Sequence, residues 1–377
     1  MIFIAPVLDD AEKRVVEKIE QVKTNLGYAV QVPERWTGLL RRNALGRAIR
    51  GSNSIEGYHV TVEDAIAAAD GEEPLDADSD SWKAVTGYRT AMTYVMQLAD
   101  DPHFTYSDAL IKSLHFMMMQ HDLGRHPGKW RPGPIFVYDE DRHEQVYEGP
   151  EDTLVVPLVT ELVGTLNHDA DLTPAVVQAA MAHLNLAMIH PFSDGNGRMA
   201  RCLQTLVLAR SGTLAPAFSS IEEHLGRNHR AYYDVLTQVG NGRWHPENDA
   251  RPWVRFCLKA HFMQASTILR RSRELARLWD ALERIVGDRG LPDRMLLALA
   301  DAALGLSVRN ATYRTAAEIT DNLAGRDLKT LADAGLLIAQ GERRGRRYVA
   351  AQAILDTRTR TSEEGRISDP FEEDVGS

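Results

Sequence analysis

Cysteine is almost missing from this sequence: Cys202 and Cys257 are the two in 377 residues, both inside apolar helical patterns. A disulfide framework is thereby excluded, and a reducing cytoplasm is the expected home. No apolar run approaches the roughly 18 residues that a membrane span needs. The first residues, MIFIAPVLDDAEKR, lack a basic n-region and a long apolar h-region, so they do not read as a signal peptide. HExxH and CxxC spacings are absent, which argues against a zinc centre, and no GxxxxGK(S/T) occurs, which excludes a P-loop enzyme. Positive charge is short as well, 43 Lys and Arg against 53 Asp and Glu. That balance argues against bulk nucleic-acid binding but leaves room for a locally basic domain.

What is present is helical periodicity almost throughout, in a chain long enough for two or three domains. Val15, Val16, Ile19 and Val22 mark a first helix within 9–28, and a second is expected over 35–50, stopped near Gly51. Thr61 is placed to cap a third, with Asp64 in its first turn. The acidic stretch 71–80 reads as a loop, and helices resume over 81–98 and 106–120. Within the latter, Met117, Met118 and Met119 beside Phe116 read as core filler. The pattern then changes: 135–138 and 145–147 predict two short strands about a polar turn. Further helices are expected over 154–166, 174–189, 197–210, 226–239 and from Trp253 to about Ile285. Beyond Gly290, expected helices over 294–304, 315–324 and 326–334 are followed by a strand, a basic turn over 341–346 and another strand, a winged-helix signature. From about Thr357 the sequence is acidic and poor in apolar residues, and is expected to lack structure.

The stretch that carries chemistry is His190-Pro191-Phe192-Ser193-Asp194-Gly195-Asn196-Gly197-Arg198-Met199-Ala200-Arg201. It joins two helices by a tight turn, where Gly195 and Gly197 let the backbone bend sharply and approach a ligand. The second helix starts at the turn, so free N–H groups and the positive end of its dipole face that ligand. Arg198 and Arg201, three apart, add two guanidinium groups, and together these make a polyphosphate site. Asp194 offers a hard oxygen of the kind a phosphate-bound magnesium needs, and His190 can accept a proton near neutral pH. Singly, such a histidine is ordinarily structural and such arginines ordinarily lie on a surface. The joint arrangement is what carries the reading.

These residues meet every specified position of HxFx(D/E)GNGRxxR, and the chain resembles the Fic (filamentation induced by cAMP) family. The resemblance runs over roughly 100–265. Gly128-Lys129-Trp130-Arg131 with the following hairpin is similar to the family's flap, which docks an extended target segment through Ile135, Phe136 and Val137. It implies a mainly α fold: a Fic helical core with a small β-hairpin flap, plus a C-terminal winged helix-turn-helix-like domain. The implied activity is transfer of AMP from ATP to a Tyr, Thr or Ser hydroxyl of a target protein. His190 would be the base, and Asp194 would hold Mg2+. Gly195, Asn196 and Gly197 would form the anion hole, Arg198 would take the β-phosphate and Arg201 the γ-phosphate. Asn228, Tyr232 and Tyr233 would contact the adenosine. Gly197, where relatives that transfer a terminal phosphate carry Lys, favours nucleotidyl transfer.

Residues 52–57, with Ser52, Glu56 and Gly57, resemble the family's inhibitory motif (S/T)xxxE(G/N). The resemblance implies that Glu56 pairs with Arg201 and withholds it from the γ-phosphate. The resulting organisation is an N-terminal helical region (1–99) carrying that motif, a catalytic core (100–265), a connecting helix (266–290), a winged-helix-like domain (291–355) and a tail (356–377). Two other readings share these residues: removal of AMP at the same site, and a nucleotide-sensing DNA-binding regulator. For the latter, 291–350 holds nine Lys and Arg against seven Asp and Glu. Arg343, Arg344, Arg346 and Arg347 lie on the expected wing, and Arg326 and Lys329 on the expected recognition helix, placed for DNA phosphates. A protein-interaction role for that domain, and an oligomer, are equally open. Among the remaining histidines, His103, His115, His121, His126, His143 and His168 share no ligand spacing, and His183, seven before His190, is expected in the core.

Overall fold

In the computed structural model the described residues are 1–31, 36–74, 77–139, 143–168, 173–212, 216–342 and 346–372. The centre is a helical hairpin, α7 (Ala175–Ile189) and α8 (Asn196–Arg210), both buried along almost their whole length. α7 is apolar nearly all round, as a fully enclosed helix must be, whereas α8 also buries Arg198, Arg201 and Gln204. Around them pack α4 (Ser79–Leu98), α5 (Asp108–Met119), α6 (Asp152–His168) and the 38-residue α12 (Arg251–Asp288). Met118 and Met119 lie buried in this core, while Phe116 is exposed.

The N-terminal helices are part of this body. In α1 (Asp10–Gln31), the buried Glu12 accepts from Arg251 (2.7 Å) and Arg255 (2.8 Å) of α12. Helix α2 (Thr37–Ile55) does not stop near Gly51 as expected but runs on to Ile55. Gly51 is instead a close-packing position: a Cβ there would strike the Glu222 carbonyl of α10 (Glu222–Arg227), and Gly226 lies against Gly51 in return. Burial against a neighbouring backbone thus overrides the low helix propensity of glycine. Helix α3 (Val62–Asp70) is capped by Thr61, whose Oγ1 accepts from the Asp64 N–H (3.0 Å).

Strands β1 (Phe136–Asp139) and β2 (Glu144–Glu148) form the antiparallel hairpin, with an irregularity between Val137 and Tyr138. A third strand, β3 (Gly242–Arg243), pairs parallel to β2 after α11 (His229–Gly240) and gives the order β1-β2-β3. Two residues carry no periodicity, so nothing in the sequence announced it. Among the described residues, β1 is left as an edge.

The C-terminal unit comprises α13 (Met295–Ala303), α14 (Asn310–Ala316), α15 (Asp321–Asp333) and the antiparallel pair β4 (Leu337–Gln340) and β5 (Arg347–Ala350). A bridge between Val308 and Tyr348 adds a third short strand contact, completing a winged-helix arrangement. The single helix expected over 315–324 is absent. The chain breaks between Ala316 and Asp321, where Glu318 has φ 52°, and two helices share that stretch. Arg343 and Arg344 of the expected wing lie outside the described residues. The tail departs from expectation too. It forms α16 (Gln352–Thr361), Lys259 pairs with Asp369 at 2.5 Å, and Phe371 packs on the main core. A few apolar anchors and two ion pairs to α12, Lys259–Asp369 and Arg277–Glu363 (3.0 Å), suffice to order a segment whose composition reads as unstructured.

The division at 265/266 falls inside one continuous helix. Trp253, Val254 and Leu258 of α12 belong to the core around α7 and α8, while Ile268, Leu275 and Leu282 belong to a second core with the winged-helix unit. Helix α2 is split the same way: Leu39 and Leu40 lie in the second core, Ile49 and Ile55 in the first. A Gly51→Val substitution is expected to cost about 1–3 kcal/mol through overpacking against α10. Chemical denaturation would read it, and an unchanged midpoint would show that α2 and α10 do not approach this closely.

Candidate active site

Helix α7 ends at His190, whose left-handed backbone (φ 50°, ψ 58°) turns the chain toward α8. Its imidazole Nδ1 lies 3.1 Å from the Ala187 carbonyl, so Nδ1 carries the proton and Nε2 keeps a free lone pair. Burial lowers the His190 pKa below 6.5, partly opposed by that carbonyl and helped by Arg131. The ring is therefore neutral at pH 7 and able to accept a proton.

The turn is locked from several sides. Asn196 pins it by accepting from the Phe192 N–H (2.9 Å) and donating to the Phe192 carbonyl (2.8 Å). His115 stacks on Phe192 at 3.6 Å between centroids, meets the Asp194 carbonyl through Nε2 (2.9 Å) and accepts from the Gly128 N–H at Nδ1 (2.8 Å). This requires the neutral Nε2–H tautomer, in keeping with a pKa that burial lowers to about 4. The buried Arg131 spends its guanidinium on the carbonyls of His190 (2.9 Å), Gly133 (2.6 Å) and Pro150 (2.5 Å), while its N–H donates to Pro191 (2.9 Å). Flap and turn are thus one rigid assembly. His115 had no sequence signal and Arg131 only its place in the run before the hairpin, since their partners lie up to 79 residues away.

Gly195 (φ 76°) precedes α8, and the Met199 N–H is the first to close on the helix, at 3.0 Å from the Gly195 carbonyl. The N–H groups of 196–198 thus lack intrahelical acceptors and form the anion-facing end. The Gly195 N–H does not join them, because Asp194 Oδ1 accepts it at 2.6 Å. Asp194 Oδ2 lies 3.6 Å from Arg125 and the side chain is 36% exposed, so an oxygen remains accessible to a cation. Among the described residues no three His, Cys, Asp or Glu side chains converge as a metal cage.

Arg198 and Arg201 are both buried, at 1% exposure. Arg198 donates to the Met119 sulfur (2.9 Å) and lies 5.0 Å from the Tyr58 ring, yet its Nε and Nη1 have no partner among the described residues. A buried guanidinium with two idle donors is a site prepared for an anion. Arg201 is more fully engaged: Nε donates to Ser52 Oγ (2.8 Å), and Nη2 to the Ser52 carbonyl (3.0 Å) and to Glu56 Oε1 (2.6 Å). Burial would raise the Glu56 carboxyl pKa, but Arg201 and then Arg198 outweigh it and hold it below the ordinary 4.5. The same pair raises Arg201 against its own burial cost. Gly57 (φ 79°) lets α2 end here, its N–H returning to the Ser54 carbonyl at 3.3 Å. Gly197 supplies the space: a Cβ at that position would collide with Glu56 Oε1.

The remaining expected residues are placed variously. Tyr232 is buried with its hydroxyl 3.0 Å from His183 Nε2, and His183 Nδ1 meets Gln204 at 2.5 Å. Tyr233 is 43% exposed and donates to the Ile55 carbonyl (3.2 Å), tying α11 to the end of α2. Asn228 caps the junction of α10 and α11 by donating to the His224 carbonyl (2.8 Å). Phe136 is exposed on β1, with Ile135 and Val137 half-buried beside it.

A helix start beneath two buried guanidinium groups, with an imidazole at the mouth of the turn, is an arrangement chemically able to hold a polyphosphate beside a proton acceptor. Residues 105–208 match the Fic/DOC family model, and this segment is a Fic domain. It is similar to the protein adenylyltransferase Fic of Nematostella vectensis (26% identical over 256 residues, 67% of this chain and 55% of that protein). It is also similar to that of Aedes aegypti (30% over 258 residues, 67% and 47%). The chain thus spans about half the length of the curated relatives it matches. Among solved structures, a Fic family protein from Desulfovibrio desulfuricans shares the fold at a TM-score of 0.59 and 22% identity, over 92% of this chain and 98% of the other. A Fic domain containing signaling protein from Bacteroides thetaiotaomicron follows at 0.54 and 22%, over 70% and 97%.

The tautomer is measurable. Heteronuclear NMR of the histidine side chains is expected to show His190 as the Nδ1–H form with a midpoint below 6.5. An Nε2–H form, with the ring lone pair turned to Ala187, would remove His190 as the base.

Proposed function

We propose that the chain is a protein adenylyltransferase, moving AMP from ATP to a hydroxyl of a target protein, with its own α2 as the brake. The observation that carries the reading is the pair of buried arginines, Arg198 with idle donors and Arg201 held by Glu56, at the start of α8 beside His190. The polyphosphate would lie on the N–H groups of 196–198, its β-phosphate on Arg198 and, once Glu56 has withdrawn, its γ-phosphate on Arg201. His190 Nε2 takes the proton of the target hydroxyl as that oxygen attacks the α-phosphorus in line. The new O–Pα bond forms as the bond from Pα to the bridging oxygen of the β-phosphate breaks, and pyrophosphate leaves. Asp194 fits the Mg2+ that such chemistry uses, with one accessible oxygen and no surrounding cage, the phosphates supplying the other ligands. When bound, such an ion would neutralise charge on the phosphates.

The target would add to the free edge of β1 as an extra strand, placing its hydroxyl before His190, with Phe136 open to a side-chain contact. The brake follows from electrostatics. Glu56 occupies the guanidinium that the γ-phosphate needs and sets a carboxylate against a polyanion. Its lowered pKa gives the direction of any pH effect: the pairing is complete above the ordinary carboxyl value and fails only as pH falls through the lowered one. Acid release near neutral pH is therefore not expected.

Replacing Glu56 by Gly should raise self-modification with AMP by about tenfold or more, followed by mass spectrometry with ATP and Mg2+. Equal modification of wild type and variant would remove the brake. In the same background, His190→Ala should lower the rate by about 10²–10⁴ with nucleotide affinity retained. The Glu56→Gly rate should climb with pH to a plateau, its midpoint below 6.5, because Glu56 is one of the groups that raise the His190 pKa. A midpoint above 6.5 would assign the base elsewhere.

A further inference from the structure

Between α2 and α3 on one side and the winged-helix unit on the other lies a cavity of about 400 Å³, separate from the His190 turn. Its wall includes Arg47 of α2, Arg347 of β5, Glu63, Ser307, Val62 and Leu304. Positive charge is in excess here. The carboxylate of Glu223 faces Arg227 (2.6 Å) and Arg271 (2.6 Å) closely, and Arg47 only distantly, at 3.9 Å. Arg347 has no carboxylate partner among the described residues. Arg358 donates to the Ala303 carbonyl (2.8 Å) and stands 3.7 Å from where a Cβ on Gly305 of the same wall would sit. Burial, with repulsion from Arg271, Arg227 and Arg358, lowers the Arg47 pKa to about 10. It stays charged at neutral pH and lacks an adequate counter-ion.

We propose that this cavity binds a small hydroxyl-bearing phosphate ester, its phosphate on Arg47 and Arg347. Guanidinium forks take phosphate oxygens two at a time, and two of them match a dianion. The volume suits a small organic ligand and is larger than a bare phosphate requires. Val62 and Leu304 offer apolar wall to a carbon skeleton. Glu63 gives Oε1 to the Ser307 N–H (2.9 Å) and Oγ (3.2 Å), while its Oε2 has no partner among the described residues and suits a ligand hydroxyl. The site joins the two cores, since α2 belongs to both.

Calorimetry on the full chain tests this without involving His190 or Glu56, so it stands or falls apart from the AMP-transfer reading. Ribose 5-phosphate is expected to bind saturably and inorganic phosphate more weakly. Arg47→Gln and Arg347→Gln should each weaken ribose 5-phosphate by about tenfold or more, with Arg198→Gln without effect. Glu63→Gln removes a like charge, so it should tighten inorganic phosphate, a gain that misfolding cannot mimic. The proposal is overturned by absence of saturable binding, or by unchanged phosphate affinity in Glu63→Gln. It is overturned too by equal loss in Arg198→Gln, which places the ligand in the nucleotide pocket. Binding of a DNA duplex, lost in Arg347→Gln while ribose 5-phosphate fails to bind, would overturn it in favour of a nucleic-acid contact.

Discussion

The rest of the structure depends on how a buried guanidinium at Arg201 is kept satisfied. A charged group at 1% exposure is strongly unfavourable unless it is paired and hydrogen-bonded. Here α2 and its C-cap supply the acceptors for Nε and Nη2 of Arg201, namely the Ser52 hydroxyl and carbonyl and the Glu56 carboxylate, while Nη1 has no partner among the described residues. Leaving such a charge unpaired costs on the order of 3–5 kcal/mol, so the segment that blocks the pocket also stabilises it. A triphosphate is the natural substitute counter-ion. On the proposed reading, inhibition and substrate binding would be two ways of meeting the same electrostatic demand, each excluding the other.

That exchange reaches beyond the pocket because α2 cannot move alone. Its first half is packed in the core shared with the winged-helix unit and its second half in the core around α7 and α8. Arg42 of α2 pairs with Asp301 of α13 and with Asp70 of α3 (3.3 Å), and Gly51 is pressed against α10. Tyr233 holds the Ile55 carbonyl from α11. Withdrawing Glu56 therefore means either bending the last turn of α2, which Gly57 permits, or shifting the helix against two cores. The first is the smaller motion, since Glu56 and Gly57 lie just past the last buried residue, Ile55, and the glycine already occupies the left-handed region.

The site was legible where its residues are neighbours in sequence and illegible where they are not. The run from His190 to Arg201 spells out a turn, a helix start and two cations, and each lies where that reading puts it. The helical hairpin was also visible, because apolar periodicity over ten or more residues reflects which face is buried, and the β-hairpin was visible as two short runs about a polar turn. Gly51 misled, since local propensity says stop while close packing on α10 says continue. The tail misled for the same reason: composition averages over a segment, whereas Asp369 and Phe371 act singly.

Chain order by itself determined the chemistry available at the turn: a base, a carboxylate, two glycines and two arginines within twelve positions. It also determined that the surrounding body is helical. Tertiary structure alone decided that Nε2 of His190 carries the free lone pair, that His115 and Arg131 hold the turn to the flap, and that Glu56 reaches Arg201 across 145 positions. The reason is that hydrogen bonds and charge pairs act over a few ångströms in space. Residues a few positions apart on a helix are close by necessity, but those a hundred apart meet only where the packing of the whole core brings them together.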